Sequence, residues 1–432
     1  MDFLLKHARI INFNPQNIKE ADIRIIDSTI AEYGKSLRPK KGEEVIDLSG
    51  KFILPGFVNS HTHLYSALSR GMPSPKIAPR NFIEILQKVW WKLDEALDEE
   101  SIYYSALVGA LEAVKFGTTT LIDHHASPNH IRGSLDLIKD GIAKVGLRGI
   151  LCYETTDRGG FKKRELGLEE NERFVTENAN NPHFRGTIGG HASFTLCNES
   201  LRKLGELASM YDCGVHMHVA EDKADVLDSI ENFNTDIINR MEDLGVLRKK
   251  SIFAHGVHLN QKQFTRIEKA GAWVIHNPRS NMNNAVGYAP LNWYGEHSAL
   301  GTDGFPADMF DEAKFGYFRN AESEHRSAFT QIPAMLNNGQ KLASEFFGQT
   351  YGTLATGSNA DLAVLDYIPP TPLTHQNLLG HFLFGMNSTT VHHVMVDGNW
   401  ILWNKQLIGI DEEAVMAKAQ KVAAKLWKKM GK

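Results

Sequence analysis

Two different patterns of apolar and polar residues divide this chain into terminal and central parts. Short alternating runs near the start predict β-strands, and a similar texture returns only near the end. The strands predicted in this way span residues 3–11, 21–26, 29–33, 44–47, 360–366, 391–396 and 400–402. We therefore expect the two chain ends to build one small β domain together.

Between the two ends, apolar strands alternate with amphipathic helices, a pattern typical of repeated βα units around a parallel sheet. The eight strand candidates span residues 52–58, 118–123, 148–153, 187–190, 215–219, 251–254, 272–275 and 299–302. The helix candidates span residues 99–116, 130–145, 199–212 and 261–270, each closely followed by a glycine. Glycine just past a helix end is the usual C-terminal stop.

Eight parallel strands are the number that closes a barrel. The predicted fold class is therefore α/β, with a (β/α)8 TIM barrel and a small β-sandwich domain built from both chain ends. We expect the boundaries at residues 1–56, 57–352 and 353–432. Residues 412–430 are rich in Ala, Lys and Val and predict an amphipathic helix packed on one domain, with a solvated basic tail as the alternative.

The overall charge argues against two classes of partner. The chain has 432 residues and a formal net charge of -4, so it lacks the basic excess that binds nucleic acid or an anionic membrane surface. The apolar stretch within residues 1–13 is short and interrupted by Lys6, His7 and Arg9, which does not resemble a signal sequence. No apolar run approaches the roughly 20 residues of a membrane span. We expect a soluble, cytoplasmic protein.

The cysteines suggest neither disulfides nor a thiolate metal site. Cys152, Cys197 and Cys213 are odd in number and form no Cys-x-x-Cys pair. We expect each of them to be a small buried hydrophobic residue in a reducing compartment.

Side chains suited to metal binding or proton transfer recur where the predicted barrel strands end. Residues two apart on a strand share a face, so His61 and His63 point to the same side. Taken alone, this spacing also fits two histidines in a surface turn. Because barrel chemistry lies at the C-terminal ends of the strands, we expect these side chains to meet at one rim. The strand-end candidates are His61, His63, His216, His218, Glu221, His255 and Asp303.

Several short segments together carry a resemblance to a known family. The segments are residues 55–63, 218–221, 254–256, 277–281, 301–304 and 357–362. The chain resembles the amidohydrolase superfamily over nearly its whole length. Within that superfamily it is similar to the cytosine-deaminase-like and chlorohydrolase-like aminohydrolases, and nearest to the aminohydrolases associated with selenium metabolism.

The resemblance implies a metal centre with three histidines and one carboxylate. Its ligands would be His61, His63, His218 and Asp303, a donor set that suits one divalent ion, either zinc or iron(II). Members with two metals supply a bridging lysine from the fourth strand, and residues 187–191 contain none. We therefore expect a single metal ion.

The resemblance also implies a mechanism, in which a metal-bound hydroxide attacks an amino-substituted nitrogen heterocycle such as a purine, pyrimidine or pterin. Asp303 would take the proton of the nucleophile, His255 would hold and polarise it, and Glu221 would protonate a ring nitrogen before ammonia leaves. The plainer alternatives are a core histidine at position 255 and a charge complementing a helix N-terminus at position 221.

Substrate contacts are expected from His191, Asp94 and Arg70, with a core histidine as the alternative at position 191. The turn at residues 69–71 and the Pro-rich loop 72–79 are expected to close over the site. Asp94 stands where adenosine-type deaminases carry glutamate, and Tyr153 stands where some of them carry arginine. Both departures argue against a nucleoside substrate.

Other residues near the predicted site have two interpretations. Trp90 and Trp91 lie on a helix beyond the metal strand, where core packing and stacking on a heterocycle are both open. His124 and His125 are interpreted as pocket wall, and His216 as packing or as support for a metal ligand.

Three functions remain open at this point. The favoured one is deamination of a small-molecule heterocycle. We also expect the chain to form a homo-oligomer, most simply a dimer. The second is removal of chloride or cleavage of a cyclic amide at the same site, which ammonia release would distinguish. The third is a metal-binding scaffold without catalysis. A scaffold, however, has no need of the four metal ligands together with His255 and Glu221. The zinc deaminases that flip nucleic-acid bases are excluded, because no Pro-Cys-x-x-Cys follows a His-x-Glu.

Overall fold

The computed structural model describes residues 2–13, 15–323 and 330–431, which form a mixed α/β structure. The strands are β1 (Phe3–Phe13), β2 (Gln16–Ile26), β3 (Thr29–Gly34), β4 (Glu44–Asp47), β5 (Phe52–Pro55), β6 (Phe57–Thr62), β7 (Thr118–His125), β8 (Arg148–Tyr153), β9 (Phe184–Gly186), β10 (Ile188–Ala192), β11 (Val215–Val219), β12 (Ile252–His255), β13 (Trp273–His276), β14 (Ser298–Leu300), β15 (Leu362–Leu365), β16 (Val391–Val396), β17 (Asn399–Trp403) and β18 (Gln406–Leu407).

The helices follow the strands in the alternation that the sequence predicts. They are α1 (Phe82–Ile85), α2 (Trp91–Ala96), α3 (Glu99–Lys115), α4 (Ser134–Val145), α5 (Phe161–Glu177), α6 (Asn198–Met210), α7 (Lys223–Phe233), α8 (Ile237–Asp243), α9 (Gln261–Lys269), α10 (Pro278–Asn283), α11 (Met309–Glu322), α12 (Gln331–Phe347), α13 (Leu378–Phe384) and α14 (Glu412–Met430). A π-helical turn, Leu86–Trp90, joins α1 to α2 and makes them one continuous segment.

Strands from both chain ends share one sheet. Within the described residues it has nine strands in the order β18-β17-β16-β15-β5-β1-β2-β3, with β4 also paired to β1. The two ends meet where β15 pairs antiparallel with β5. At His7, whose φ is +59°, β1 changes partner, so its first half pairs with β4 and its second half with β5.

The central strands form two parallel sheets in which spatial order follows chain order. One sheet runs β6-β7-β8-β9 and the other β10-β11-β12-β13-β14. Isolated parallel bridges join Thr62 to Asp303 and Thr155 to Gly190, so the edges of the two sheets lie against each other. The ends of β6 and β14 therefore lie side by side.

One of the predicted central strands is divided in the structure. The single strand predicted at residues 52–58 is wrong, because the chain passes from the terminal sheet to the parallel sheet at Gly56. A Cβ at that glycine would lie 2.2 Å from Cγ2 of Thr119, so this crossing needs a residue without a side chain. The predicted strand at residues 187–190 is present as β10, and a further short strand, β9, precedes it and pairs with β8 in the other sheet.

The C-terminal helix is confirmed with its predicted bounds, and the alternative of a solvated tail is wrong. Helix α14 buries Ala419, Val422, Ala423 and Leu426, and it packs on α2 and α3. The indole Nε1 of Trp427 donates a hydrogen bond to the carbonyl of Leu68 at 2.8 Å. In the described part of the chain, no helix combines the length and apolar character needed to cross a bilayer.

One of the three cysteines departs from the expectation. Cys152 and Cys213 are buried, but Cys197 is exposed. Cys197 is the residue that precedes α6, and its backbone N–H donates to Asp157 at 2.7 Å. Its exposure follows from this position in the fold and could not be inferred from residue type alone.

Candidate active site

The strand ends of the two parallel sheets bring the predicted metal ligands together. His61 lies in β6, His63 directly after it, His218 in β11 and Asp303 just after β14. One ligand atom from each of the four residues lies within 4.8 Å of every other. Asp303 adopts a φ of +53°, a left-handed conformation that is costly for a non-glycine residue and is often found at functional sites.

The nitrogen and oxygen atoms that face one another are of the kinds that bind metal ions. The Nε2 atoms of His63 and His218 are 3.0 Å apart, and Oδ1 of Asp303 lies 2.9 Å from Nε2 of His63 and 3.5 Å from Nε2 of His61. Nε2 of His61 is buried without a hydrogen-bond partner among the described residues. These contacts fit a cation between the four side chains.

The opposite ring nitrogens are all engaged outside this cluster. Nδ1 of His63 lies 2.6 Å from the carbonyl of His124, and Nδ1 of His218 lies 2.9 Å from the carbonyl of His191. A carbonyl accepts only, so both Nδ1 atoms carry a proton, and in the neutral form of each ring Nε2 keeps a free lone pair. Outer hydrogen bonds of this kind orient metal-binding histidines.

The charge state of the four residues also fits a metal site. Burial lowers the pKa of His61 to about 3 and that of His218 well below its ordinary value, so both rings are neutral. Burial alone would raise the pKa of Asp303, but the neighbouring imidazoles of His61 and His63 hold it well below its usual range. The same carboxylate outweighs burial at His63 and raises its pKa to about 9. A metal ion bound here would displace that proton.

Glu221 and His255 form an acid–base pair beside these ligands. Oε2 of Glu221 lies 3.4 Å from Nε2 of His255, and Nδ1 of His255 is 2.8 Å from the side-chain oxygen of Asn281. Burial raises the pKa of Glu221 to about 7, with a further contribution from Asp303. A carboxyl group with this pKa can donate a proton near neutral pH.

The metal cluster opens into a cavity whose wall combines aromatic side chains with a few polar groups, as is typical of small-molecule sites. Of the predicted substrate contacts, His191 and Asp94 line this cavity. Arg70 does not reach it. Its guanidinium pairs with Glu112 on α3, and Arg70 lines a separate groove beside α14.

The cover of the cavity is not the one that the sequence suggested. Residues 72–77 of the Pro-rich loop line an outer cleft with Trp427 and Met430 instead of the cavity. The segment α1–α2 covers the metal cluster, and its side chains on the cavity wall are Phe82, Leu86, Trp90, Trp91 and Asp94. The expectation that loop 72–79 closes over the site is therefore wrong. The composition of loop 72–79 does not indicate the direction in which the loop folds.

Glu154 is a cavity residue that the sequence reasoning missed. It follows β8 directly and is buried, and its Oε1 accepts a hydrogen bond from Nη2 of Arg158 at 2.9 Å. Its Oε2 lies 3.4 Å from Nδ1 of His124. The strand-end rule that predicts the metal ligands applies equally to Glu154, whose neighbour Tyr153 packs in the hydrophobic core.

Three further histidines, His124, His125 and His216, are buried near the site. His124 is fully buried, and its Nε2 lies 3.0 Å from the carbonyl of Gly190. His125 contacts the hydroxyl of Ser127 at 2.9 Å. His216 contacts His61 ring to ring, with 2.8 Å between its Nε2 and Nδ1 of His61.

Comparison with known proteins agrees with this arrangement. Residues 52–401 match the model of the amidohydrolase family. A 5'-deoxyadenosine deaminase of Methanococcus aeolicus is 30% identical, over 95% of this chain and 96% of the relative. A 5-methylthioadenosine/S-adenosylhomocysteine deaminase of Thermococcus sibiricus is 28% identical, over 93% of this chain and 94% of the relative.

Solved structures share the fold. An adenosine deaminase from Xanthomonas campestris with bound zinc superimposes with a TM-score of 0.88 at 20% identity, covering 99% of each chain. An atrazine chlorohydrolase from Arthrobacter aurescens complexed with zinc gives a TM-score of 0.82 at 20% identity, covering 98% of this chain and all of the other.

Proposed function

This chain belongs to the amidohydrolase family, and we propose that it is a metal-dependent aminohydrolase that deaminates an adenine-type heterocycle and releases ammonia. The observation that carries the proposal is the position of Glu221 and His255 beside the four-residue cluster of metal donors. The names of the relatives supply the adenine-type ring, since both kinds of deaminase act on adenosine derivatives.

The fold that we propose for this reaction is a (β/α)8 barrel over residues 57–352, with a β-sandwich domain from residues 1–56 and 353–432. The parallel bridges between the two central sheets support the barrel, because they join both pairs of sheet edges. The change of partner at His7 supports a two-layered terminal domain, because β4 and β5 pair with different halves of β1 and can therefore diverge.

We propose that His61, His63, His218 and Asp303 hold one divalent ion, zinc or iron(II). Imidazole and carboxylate donors suit both ions, and the zinc in two neighbouring structures favours zinc. A bound ion of this kind supplies a water whose pKa is lowered to about 7, so that hydroxide is available at neutral pH.

The side chains around this position then divide the proton transfers. The carboxyl group of Glu221 donates its proton to the ring nitrogen beside the amino-bearing carbon, which makes that carbon electrophilic. Asp303 accepts the proton of the attacking nucleophile and returns it to the departing amino group, so that ammonia leaves. His255, fixed by Asn281 on its other nitrogen, orients and polarises the nucleophile.

The cavity wall suits a flat aromatic substrate. Trp90, Trp91 and Phe82 cover the site and offer ring faces or edges for a bicyclic heterocycle. We propose that His191 and Asp94 contact the substrate, since both line the cavity.

Ammonia release from the metal-loaded enzyme tests the proposal. Zinc-loaded and iron(II)-loaded protein would be assayed against amino-substituted purines and their nucleosides, pyrimidines, pterins and triazines. A chlorinated triazine assayed for chloride release separates dechlorination from deamination. We expect ammonia from adenine-type compounds, and an absence of ammonia from every compound with metal bound would overturn the proposal.

A further inference from the structure

One turn of helix beside the cavity contacts both carboxyl groups of the proposed reaction. Ser280 lies in α10, and Asn284 follows this helix directly. The backbone N–H of Asn284 donates to the carbonyl of Ser280 at 2.9 Å, so the two side chains lie one turn apart on the same face. Asn284 contacts Glu221, the proposed acid, and Ser280 contacts Asp303, the proposed base.

The amide group of Asn284 bridges the acid and Ser280. Its Nδ2 donates to Oε1 of Glu221 at 3.3 Å and to Oγ of Ser280 at 3.4 Å. An amide nitrogen carries two hydrogens, so both contacts form at once. Oδ1 of Asn284 accepts a hydrogen bond from Nδ2 of Asn283 at 3.1 Å, an arrangement that keeps the donor end turned toward Glu221.

The hydroxyl group of Ser280 completes the connection to the base. It accepts from Asn284 and donates to Oδ2 of Asp303. Oδ1 of the same carboxylate faces the imidazoles of His61 and His63. Ser280 therefore helps to fix which oxygen of Asp303 faces the metal donors.

This connection orients the two carboxyl groups without passing a proton between them. The amide of Asn284 has neither an acidic proton nor a basic nitrogen near neutral pH. Because Oε1 of Glu221 accepts an N–H, the proton of the acid form is favoured on Oε2, the oxygen that lies 3.4 Å from Nε2 of His255. Asn284 thereby directs both the position of the Glu221 carboxyl and the location of its proton.

Helix α10 is itself anchored to α11 by an ion pair. Arg279 pairs with Glu312, which is fully buried, and Arg279 is largely buried as well. Nη2 of Arg279 also donates to the carbonyl of Pro306 at 2.7 Å. A residue can orient a reacting group only when its own position is fixed, and these contacts fix the helix that carries Ser280 and leads to Asn284.

We propose that Asn284 is a positioning residue that orients the carboxyl group of Glu221 for proton transfer to the substrate ring and holds it apart from the base Asp303, an inference that rests on the proposed function for the role of Glu221. Asn284 also lines the cavity. A direct contact between Asn284 and the substrate is therefore the alternative that an experiment must separate.

Asn284→Leu keeps the shape of the side chain and removes both N–H donors. Ammonia release from an adenine-type substrate would be measured for the zinc-loaded wild type, Asn284→Leu, Glu221→Gln and the double variant. The matched control is Asn232→Leu, at an exposed asparagine that donates to Asp228. We expect Asn284→Leu to lower kcat about 10- to 100-fold, with KM changed less than about threefold and zinc content unchanged. Asn232→Leu should match the wild type.

The double variant shows whether Asn284 acts through Glu221. In the Glu221→Gln background, Asn284→Leu should change kcat by less than about twofold, because the acid that Asn284 orients is already absent. An equal loss of kcat in both backgrounds would overturn the inference. So would a raised KM with unchanged kcat, which would indicate a substrate contact instead.

Crystal structures of the zinc-loaded wild type and of Asn284→Leu test the same point without turnover. We expect the carboxyl group of Glu221 to move by about 1 Å or more in the variant, while Asp303 stays in place. A Glu221 side chain that keeps its position would overturn the inference. Asn284→Ala takes the place of Asn284→Leu in every measurement if the latter does not fold. If Glu221 moves but the wild type releases no ammonia from any compound, the proposed reaction is wrong while the positioning role stands.

Discussion

The side chains of His61 and His216 are joined ring to ring in the buried floor of the site, with 2.8 Å between Nδ1 of His61 and Nε2 of His216. Sγ of Cys152 lies 3.6 Å from the other nitrogen of His216. When Nδ1 of His61 donates to His216, its Nε2 keeps the lone pair that faces Asp303. His216 therefore selects the ring form that a metal ligand requires.

Replacing His216 by leucine should weaken zinc binding about 10- to 100-fold, because His61 loses the partner that fixes its ring. Competition with a chromogenic chelator would measure the affinity. His375→Leu, at an exposed histidine, is the matched control and should leave it unchanged. An unchanged zinc affinity in a folded His216→Leu protein would show that His216 only fills space.

His63→Ala should abolish both metal content and turnover. Its Nε2 contacts both His218 and Asp303 at about hydrogen-bond distance, so its removal opens the centre of the donor cluster. Metal content would be measured by elemental analysis after equilibration with zinc. A full complement of zinc in the purified variant would contradict the ligand set.

Glu221→Gln should retain metal and lose turnover about 10²- to 10⁴-fold, the usual contribution of a general acid. The amide keeps the size of the side chain and can still accept a hydrogen bond from Asn284, but its N–H protons are not acidic. Parallel measurement of zinc content and ammonia release on an active substrate separates this effect from metal loss. Turnover within a factor of ten of the wild type would exclude Glu221 as the acid.

The sequence could predict this site because its chemistry lies at strand ends. Alternation within β6 and β11 put pairs of histidines on one face, and the strand order then determined which ends meet. The elements over the site were less predictable. Arg70 and loop 72–79 follow the metal strand in the chain, but the segment α1–α2 covers the cavity, because its aromatic side chains pack on Val257 and Val286 from a distant part of the chain.

Glu154 and helix α5 were likewise difficult to predict from the sequence. The sequence of α5 contains many charged residues and few apolar ones, so periodicity gave little helical signal. Yet Asn171 of this helix bonds the backbone of Tyr153 and thereby helps to fix the chain beside Glu154. Contacts of this kind depend on polar side chains whose partners are distant in the sequence.

Asp123 should make stability depend on pH. Burial raises the pKa of its carboxyl to about 7 from an ordinary value of 3.8, and one of its oxygens has no hydrogen-bond partner among the described residues. A carboxyl with a higher pKa in the folded chain binds its proton more tightly there, so the folded state loses stability as pH rises from about 4 to 7. The loss amounts to at most about 4 kcal/mol.

Asp123→Asn should remove this loss, because the amide resembles the protonated acid and still accepts from the N–H of Leu64. Urea midpoints compared from pH 5 to pH 8 should show the variant gaining stability relative to the wild type and levelling off above pH 7. Asp243→Asn, at an exposed position, is the control. A constant difference between variant and wild type across this range would contradict the shifted pKa.

Arg148 connects the parallel sheet to the terminal sheet through a buried ion pair. It begins β8, and its Nη2 lies 3.0 Å from Asp361 and 2.9 Å from Asp397, which both flank strands of the terminal sheet. Arg148→Met should lower the free energy of unfolding by about 3–5 kcal/mol, because it leaves the buried carboxylate of Asp361 and the half-buried carboxylate of Asp397 without their shared cation. Urea unfolding followed by circular dichroism would measure the change.

Arg132→Met is the matched control, since its pair with Glu169 is exposed and should contribute less than about 1 kcal/mol. Adding Asp361→Asn to Arg148→Met should recover part of the loss, because one unpaired charge is then removed. If Arg148→Met unfolds at the same urea concentration as Arg132→Met, the ion pair does not hold the two sheets together. Recovery in the double variant would instead assign the loss to the uncompensated carboxylate rather than to missing packing.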